Sequence, residues 1–388
     1  MRRRGTTILE VLFAIGIVII GILGIASVLP LASRDARSAN EASEGHAYGQ
    51  RYYNDFLVRG FNNRSRWMWF NDATKLTSLF DNTAAVASTS SSGGLASPAL
   101  RHAVCIDPSF FADALTFSEV AAYPAFGPTQ AYRPSLFPYY QDNFSPLSNA
   151  STPSFASGNS PRLVRVSLNS LGTTAVMPPK VIEQLFLSTD DLALNVSTKD
   201  KSLPAGRVYD AALNRAAATS EYSWLATLCP REPMRDAEYL TAEKFYTLSI
   251  VVMHRRDRAW FAPTSSSTNS IPQGERLLQV SPIGGNFVGG AGGRVTFGAS
   301  QGVEDRIDVG DWVMLSRYMS NGTNLAVVCR WYRVIGRDAE SQVDDATGTW
   351  TRNVTLDGPD WTFDATLPTQ ATMVGNVVSV FERVIEVQ

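Results

Sequence analysis

Lysine, cysteine and histidine are scarce in this chain, and each scarcity removes a class of function. Lys75, Lys180, Lys199, Lys201 and Lys244 are the only lysines among 34 basic residues, and 36 acids bring the formal net charge to −2. There is no basic field to attract a polyanion, which excludes nucleic acid as a general partner. Three cysteines, Cys105, Cys229 and Cys329, allow at most one intramolecular disulfide. Cys105 and Cys229 lie beside loop signals and form the candidate pair, whereas Cys329, inside the apolar run LAVVCRWY, reads as a small core residue. Among His46, His102 and His254, only His102 stands at a metal-ligand spacing from a cysteine, Cys105, and no second half follows it. G-x-S-x-G and H-E-x-x-H do not occur, and the glycine-rich Gly284–Arg294 segment lacks the G-K-[ST] that holds phosphate, so it reads as a hairpin loop. The sequence therefore assigns no catalytic residue, no metal and no cofactor, and the expectation is a protein that is not an enzyme.

What the chain does have is an unusual beginning, MRRRGTTILEVLFAIGIVIIGILG. No charged side chain occurs from Val11 to Ala32, and a helix of that length rises roughly 33 Å, enough for a ~30 Å hydrocarbon core. The run is longer than the apolar region of a secretory signal peptide. The expectation is a transmembrane span at about 11–32. Arg2, Arg3 and Arg4, with no comparable cluster just beyond Leu31, would set the N-terminus in the cytoplasm and the rest outside it. Gly16, Gly21 and Gly24 weaken this helix and permit close helix approach. Pro30 is the place for a bend, because its ring clashes with the preceding turn. From Ser33 to Gly60 no proline occurs, and Ala36, Ala39, Ser43, Ala47 and Leu57 give a narrow small-residue stripe, so the helix should continue, amphipathic, to residue 60.

Arg2–Arg4, then Gly5, two threonines, two aliphatics, Glu10 and an uninterrupted apolar run together resemble the class III signal of the type IV pilin-like family, which comprises the prepilins and the secretion pseudopilins. The resemblance covers about thirty residues and departs from the family at Thr6, where Phe is usual, and at Ile8-Leu9, where the common order is Leu-Ile. It implies cleavage by a prepilin peptidase between Gly5 and Thr6, N-methylation of Thr6, and assembly with other pilins or pseudopilins through the N-terminal helix. It also accounts for Glu10, a carboxylate in an apolar helix, as the group that neutralises the new α-ammonium of a neighbouring subunit. The function so implied is a structural minor subunit of a type IV pilus or a type II secretion pseudopilus, held in the inner membrane by one pass with a periplasmic head. The alternative is a filament-borne adhesin or substrate-binding module.

Beyond the helix, WMWF at Trp67–Phe70 reads as core, and the Ser-, Pro- and Gly-rich stretches Asn82–Leu100 and Pro124–Pro161 as long loops. A strand is expected at Arg162–Leu168 and a helix at Pro179–Leu187, started by paired prolines. From residue 241 onward, seven β-branched and aromatic runs bounded by turn residues argue for an antiparallel sheet or barrel. Aspartates in DRIDVGD, VDDATGT and LDGPD read as turn formers, with calcium as the alternative use of the same carboxylates. HRRDR at His254–Arg258 reads as a solvated strand-edge guard. The expected fold is α+β: a long N-terminal helix, transmembrane below and amphipathic above, packed on a β-rich head. Its regions are a leader (1–5), the helix (6–60), a mixed region (61–240) and a β-rich region (241–388).

Overall fold

A computed structural model describes residues 8–71, 76–79, 103–112, 136–139, 161–170, 176–186, 209–210, 215–216, 222–230, 245–254, 256, 274–300, 305–321, 324–346, 348–364 and 366–388. The chain divides into two compact units, Met1–Ala47 and Tyr48–Gln388. The expected loop at Asn82–Leu100 lies outside the described residues, as does most of Pro124–Pro161.

Helix α1 runs Ile8–Val58 without interruption through Pro30 and supplies the first unit and the start of the second. In the first unit the described side chains from Val11 to Leu23 are mostly exposed. Among the described residues no helix is long and apolar enough to cross a membrane. This overturns the expected span at about 11–32, and with it the single-pass inner-membrane placement.

The second unit is built from strands. β1 (Trp67–Asn71), β2 (Leu76–Leu79), β3 (Val104–Ile106), β4 (Leu136–Phe137) and β5 (Leu163–Leu168) come first, with the short helix α2 (Pro108–Ala112) after β3. Helix α3 (Pro179–Phe186), a small two-stranded pair of β6 (Tyr209–Asp210) and β7 (Arg215–Ala216), β8 (Tyr222–Pro230) and β9 (Phe245–His254) follow. These strands, except β6 and β7, join the last strand of the chain, β17 (Val377–Glu386), in one sheet of order β17-β9-β8-β3-β5-β1-β2, with β4 on β5. All its pairings are antiparallel except β3 with β5.

The remaining strands are β10 (Glu275–Ile283), β11 (Gly293–Ser300), β12 (Trp312–Asn321), β13 (Asn324–Arg337), β14 (Gln342–Asp344), β15 (Thr349–Asp357) and β16 (Gln370–Val374). Their order is β11-β10-β16-β12-β13-β15-β14, and β11 pairs also with β15 from Gly293↔Leu356 to Ser300↔Thr349, which closes a six-stranded antiparallel barrel with β14 appended. Closure leaves these six strands without an open edge. All seven runs expected after residue 241 are strands; the first and last belong to the sheet and the other five to the barrel. β8 pairs β9, so strands from either side of residue 240 share one sheet. The glycine-rich segment does connect a hairpin, β10 to β11, with Ile283 opposite Arg294. Gly292 holds φ +64° there, and a Cβ on it would stand 2.0 Å from the Leu356 carbonyl oxygen.

The sheet is covered on both faces. On one side Trp224, Ala226 and Leu228 of β8 and Trp67 and Trp69 of β1 pack with Tyr52 and Phe56 of α1 and with Ile182 and Phe186 of α3. The Trp224 ring stacks on Phe186 at 4.3 Å and on Tyr52 at 5.3 Å between centroids. On the other side Leu225 and Cys229 of the same strand join the barrel residues.

The fold is therefore mostly β, a two-sided sheet against a barrel, and not the expected α+β arrangement of a long helix packed along a head. Within the second unit Tyr48–Val58 of α1 meets the sheet through Tyr52 and Phe56. The packed face is Gly49, Tyr52 and Phe56, whereas Ala47 and Leu57 of the expected small-residue stripe are exposed. Phe56→Ala should lower unfolding free energy by about 3–5 kcal/mol, while the adjacent Leu57→Ala should stay within ~1 kcal/mol. Urea unfolding of the two variants checks which face is packed.

Candidate functional site: a buried four-charge clamp

The densest chemistry among the described residues lies between the sheet and the barrel. β5 reads LVRVSL and alternates: Val164, Val166 and Leu168 face the helices, and Leu163 faces the barrel. Strand pleating puts Arg165 on the barrel side with Leu163, where it is wholly buried. Such a charge needs partners. Asp107 provides one, placed by the turn from β3 into α2, where its N–H donates to the Val166 carbonyl at 2.9 Å. Arg256, two residues past β9, and Glu275, the first residue of β10, provide the others.

The four groups are fully cross-paired. Arg165 Nη1 donates to Asp107 Oδ2 at 2.5 Å and its Nη2 to Glu275 Oε2. Arg256 grips Asp107 with two bonds, Nη1 to Oδ1 at 2.8 Å and Nη2 to Oδ2 at 2.7 Å, and reaches Glu275 Oε1 at 3.1 Å. Two cations and two anions leave the cluster neutral. The Arg165 guanidinium also lies 3.9 Å from the Phe110 ring centroid, with the Phe137 and Tyr139 rings at 5.2 and 5.9 Å. Burial by itself would raise the Asp107 pKa; the charge and hydrogen bonds of Arg256, then the charge of Arg165, hold it below the ordinary carboxylate range. Burial pushes the neighbouring Cys105 thiol well up, with Arg165 opposing.

Each of the four carboxylate oxygens accepts from a guanidinium, and arginine keeps its proton. The cluster suits fixing rather than proton transfer. What it fixes is the connection from sheet to barrel, since Arg256 lies near its start and Glu275 at its end.

The sequence-predicted residues fall elsewhere. Gly5, Thr6 and His102 lie outside the described residues, Glu10 is in the first turn of α1, and Pro30 is within α1. None of the three cysteines is in a disulfide, and all are buried. Cys105 stands opposite Thr227, which places Cys229 on the diagonal of adjacent strands, roughly 7–8 Å away. A bridge needs Cβ atoms about 3.5–4.5 Å apart, so the Cys105–Cys229 pairing is replaced by two separate thiols. Cys329 is in the core, as its apolar run implied. The HRRDR edge guard is corrected at Arg256, whose side chain is buried in the clamp.

The Asp-rich turns are held by their own backbone and by arginines: Asp308 pairs with Arg337 at 2.8 Å, Asp305 with Arg352 at 3.1 Å, and Asp344 accepts from Ala346 N–H at 3.0 Å. Among the described residues no group of three or more His, Cys, Asp or Glu could hold a metal ion. Sequence reading missed Arg165, Asp107 and Glu275. The one signal was an arginine at an inward position of an otherwise apolar alternation.

Removing one member of the clamp leaves the others buried and unbalanced. Asp107→Asn should cost about 3–5 kcal/mol of stability at neutral pH. Because the folded pKa of Asp107 is depressed, its contribution is full above its ordinary value of 3.8 and is lost as pH falls through the folded pKa. Urea midpoints measured from pH 7 down to pH 2 should show an acid limb in the wild type that is shallower in Asp107→Asn.

No protein-family model, no curated protein and no solved structure matches this chain, so its function is argued from its own residues.

Proposed function

We propose that the chain is a structural subunit of the type IV pilin-like class, a minor component of a type IV pilus or a type II secretion pseudopilus. A prepilin peptidase removes the leader after Gly5, and the subunit assembles through its N-terminal helix. The observation that carries this reading is the surface of α1. Phe13, Ile17 and Ile20 lie 67, 70 and 72% exposed, and Leu12, Ile19 and Ile22 are likewise open around the helix. A helix apolar all round is a surface to be covered, and packing against the same segment of neighbouring subunits covers it. Gly16 and Gly21 have nothing within 4 Å of where a Cβ would stand, which leaves room for another helix to approach. Glu10 begins this segment, five residues after Gly5, and a carboxylate there neutralises the α-ammonium that cleavage creates on Thr6 of an adjoining subunit.

Two measurements test this. The intact mass of the mature protein should lack Met1–Gly5; a chain retaining them contradicts the proposal. Glu10→Leu should leave cleavage largely intact, because Gly5 is the feature the peptidase reads, but should lower incorporation into sheared filaments. Stranding one member of an ion pair costs about 3–5 kcal/mol, equivalent to two to three decades in association. Glu10→Asp, which keeps the charge, should retain most incorporation. Equal incorporation of the leucine variant would remove Glu10 from the assembly contact.

A further inference from the structure

The sheet and the barrel meet along β8 and β13, and their facing residues are aligned. Trp331 Nε1 of β13 donates to Thr227 Oγ1 of β8 at 3.0 Å. Two residues along each strand, in opposite directions as an antiparallel alignment requires, the Cys329 N–H donates to Cys229 Sγ at 2.9 Å. Both sulfurs stand on the inward faces of their strands and belong to one core, at 2 and 3% exposure. The Cys229 side chain also acts on the Cys329 thiol, raising its pKa. Cys105 lies beside the clamp, on the diagonal from Cys229.

We propose that Cys229 and Cys329 are a site of oxidative modification, joined by a small-molecule or protein disulfide into a bridge that ties the sheet to the barrel. One cysteine thiolate attacks a sulfur of the oxidant, forming a mixed disulfide and releasing one thiol. The second thiolate attacks the cysteine sulfur of that mixed disulfide, forming the Cys229–Cys329 bond and releasing the second thiol. Two cysteine protons leave, two electrons pass to the oxidant disulfide, and two oxidant thiols result. In the closed fold both sulfurs are shielded, and the Cys229 side chain, then burial, holds the Cys329 thiol well above its ordinary pKa, so the exchange belongs to the folding chain, before sheet and barrel close. The bridge spans 100 residues of chain, a long loop of the kind in which a cross-link constrains the unfolded state most.

The test is refolding of the full chain from denaturant in a buffer of oxidised and reduced glutathione, followed by alkylation in denaturant and peptide mapping without reductant. The expected map joins the Cys229 and Cys329 peptides and leaves Cys105 alkylated. Three alkylated cysteines, or a bridge that includes Cys105, would overturn the proposal. Thermal melting supplies a second reading: the refolded chain should melt on the order of 5–10 °C higher without reductant than with it. Cys229→Ala and Cys329→Ala should each lose that difference and Cys105→Ala should keep it. A difference that survives in Cys329→Ala counts against the pair. The peptide map needs no variant, so a variant that fails to fold leaves the decision with the map.

Discussion

A sheet covered on both faces sets the terms for the rest of this molecule. Every residue of β8 is buried, and most of β9 with it, because aromatic side chains of α1 and α3 lie on one face and the barrel on the other. In such a layer a buried charge needs partners at hand. Arg165 is the strongest case. It occupies a barrel-facing position of β5, and the protein answers it with two carboxylates, a second arginine and three aromatic rings. The groups come from the β3–α2 turn, the end of β9 and the start of β10. Their meeting pins the connection by which the chain passes from β9 of the sheet to β10 of the barrel.

The barrel relaxes that constraint on its far side. β15 alternates buried and part-exposed residues along its length, and β11 does so in part, as strands with one wet face should. β12 and β16 do not: Val313–Tyr318 and all five residues of β16 are buried. The aspartate-rich connections sit on the wet side and use their carboxylates on their own turns and on Arg337 and Arg352. Acidic residues thus do local work at the rim, while the acids that matter for the core, Asp107 and Glu275, stand outside any acidic cluster.

Helix α1 joins two settings. In its last turns, within the second unit, Tyr52 and Phe56 complete the aromatic layer with Trp224 and Phe186, and Gly49 lets the helix come close to Phe381, where an added Cβ would stand 2.9 Å from the Phe381 Cβ. In its first turns the described apolar side chains are exposed. The proposed assembly role rests on that contrast and on the motif around Gly5 and Glu10, and is independent of the thiol pair between β8 and β13.

The sequence by itself determined which segments are regular. β5 and α3 lie within a residue of their expected limits, all seven C-terminal runs are strands, and WMWF lies in β1, with Trp67 and Trp69 in the core. These follow from local chemistry, namely β-branched alternation, paired prolines at a helix start and glycines at turns. β8 and β16 were not legible because burial on both faces, or a length of five residues, removes the alternation that marks a strand. Partnership was not legible either. Which strands leave the C-terminal run to enter the sheet, which thiol faces which, and which carboxylates meet Arg165 depend on residues far apart in the chain brought together by packing. Helix periodicity likewise offered the small-residue stripe through Ala47 and Leu57, whereas the sheet face admits Tyr52 and Phe56 beside Trp224.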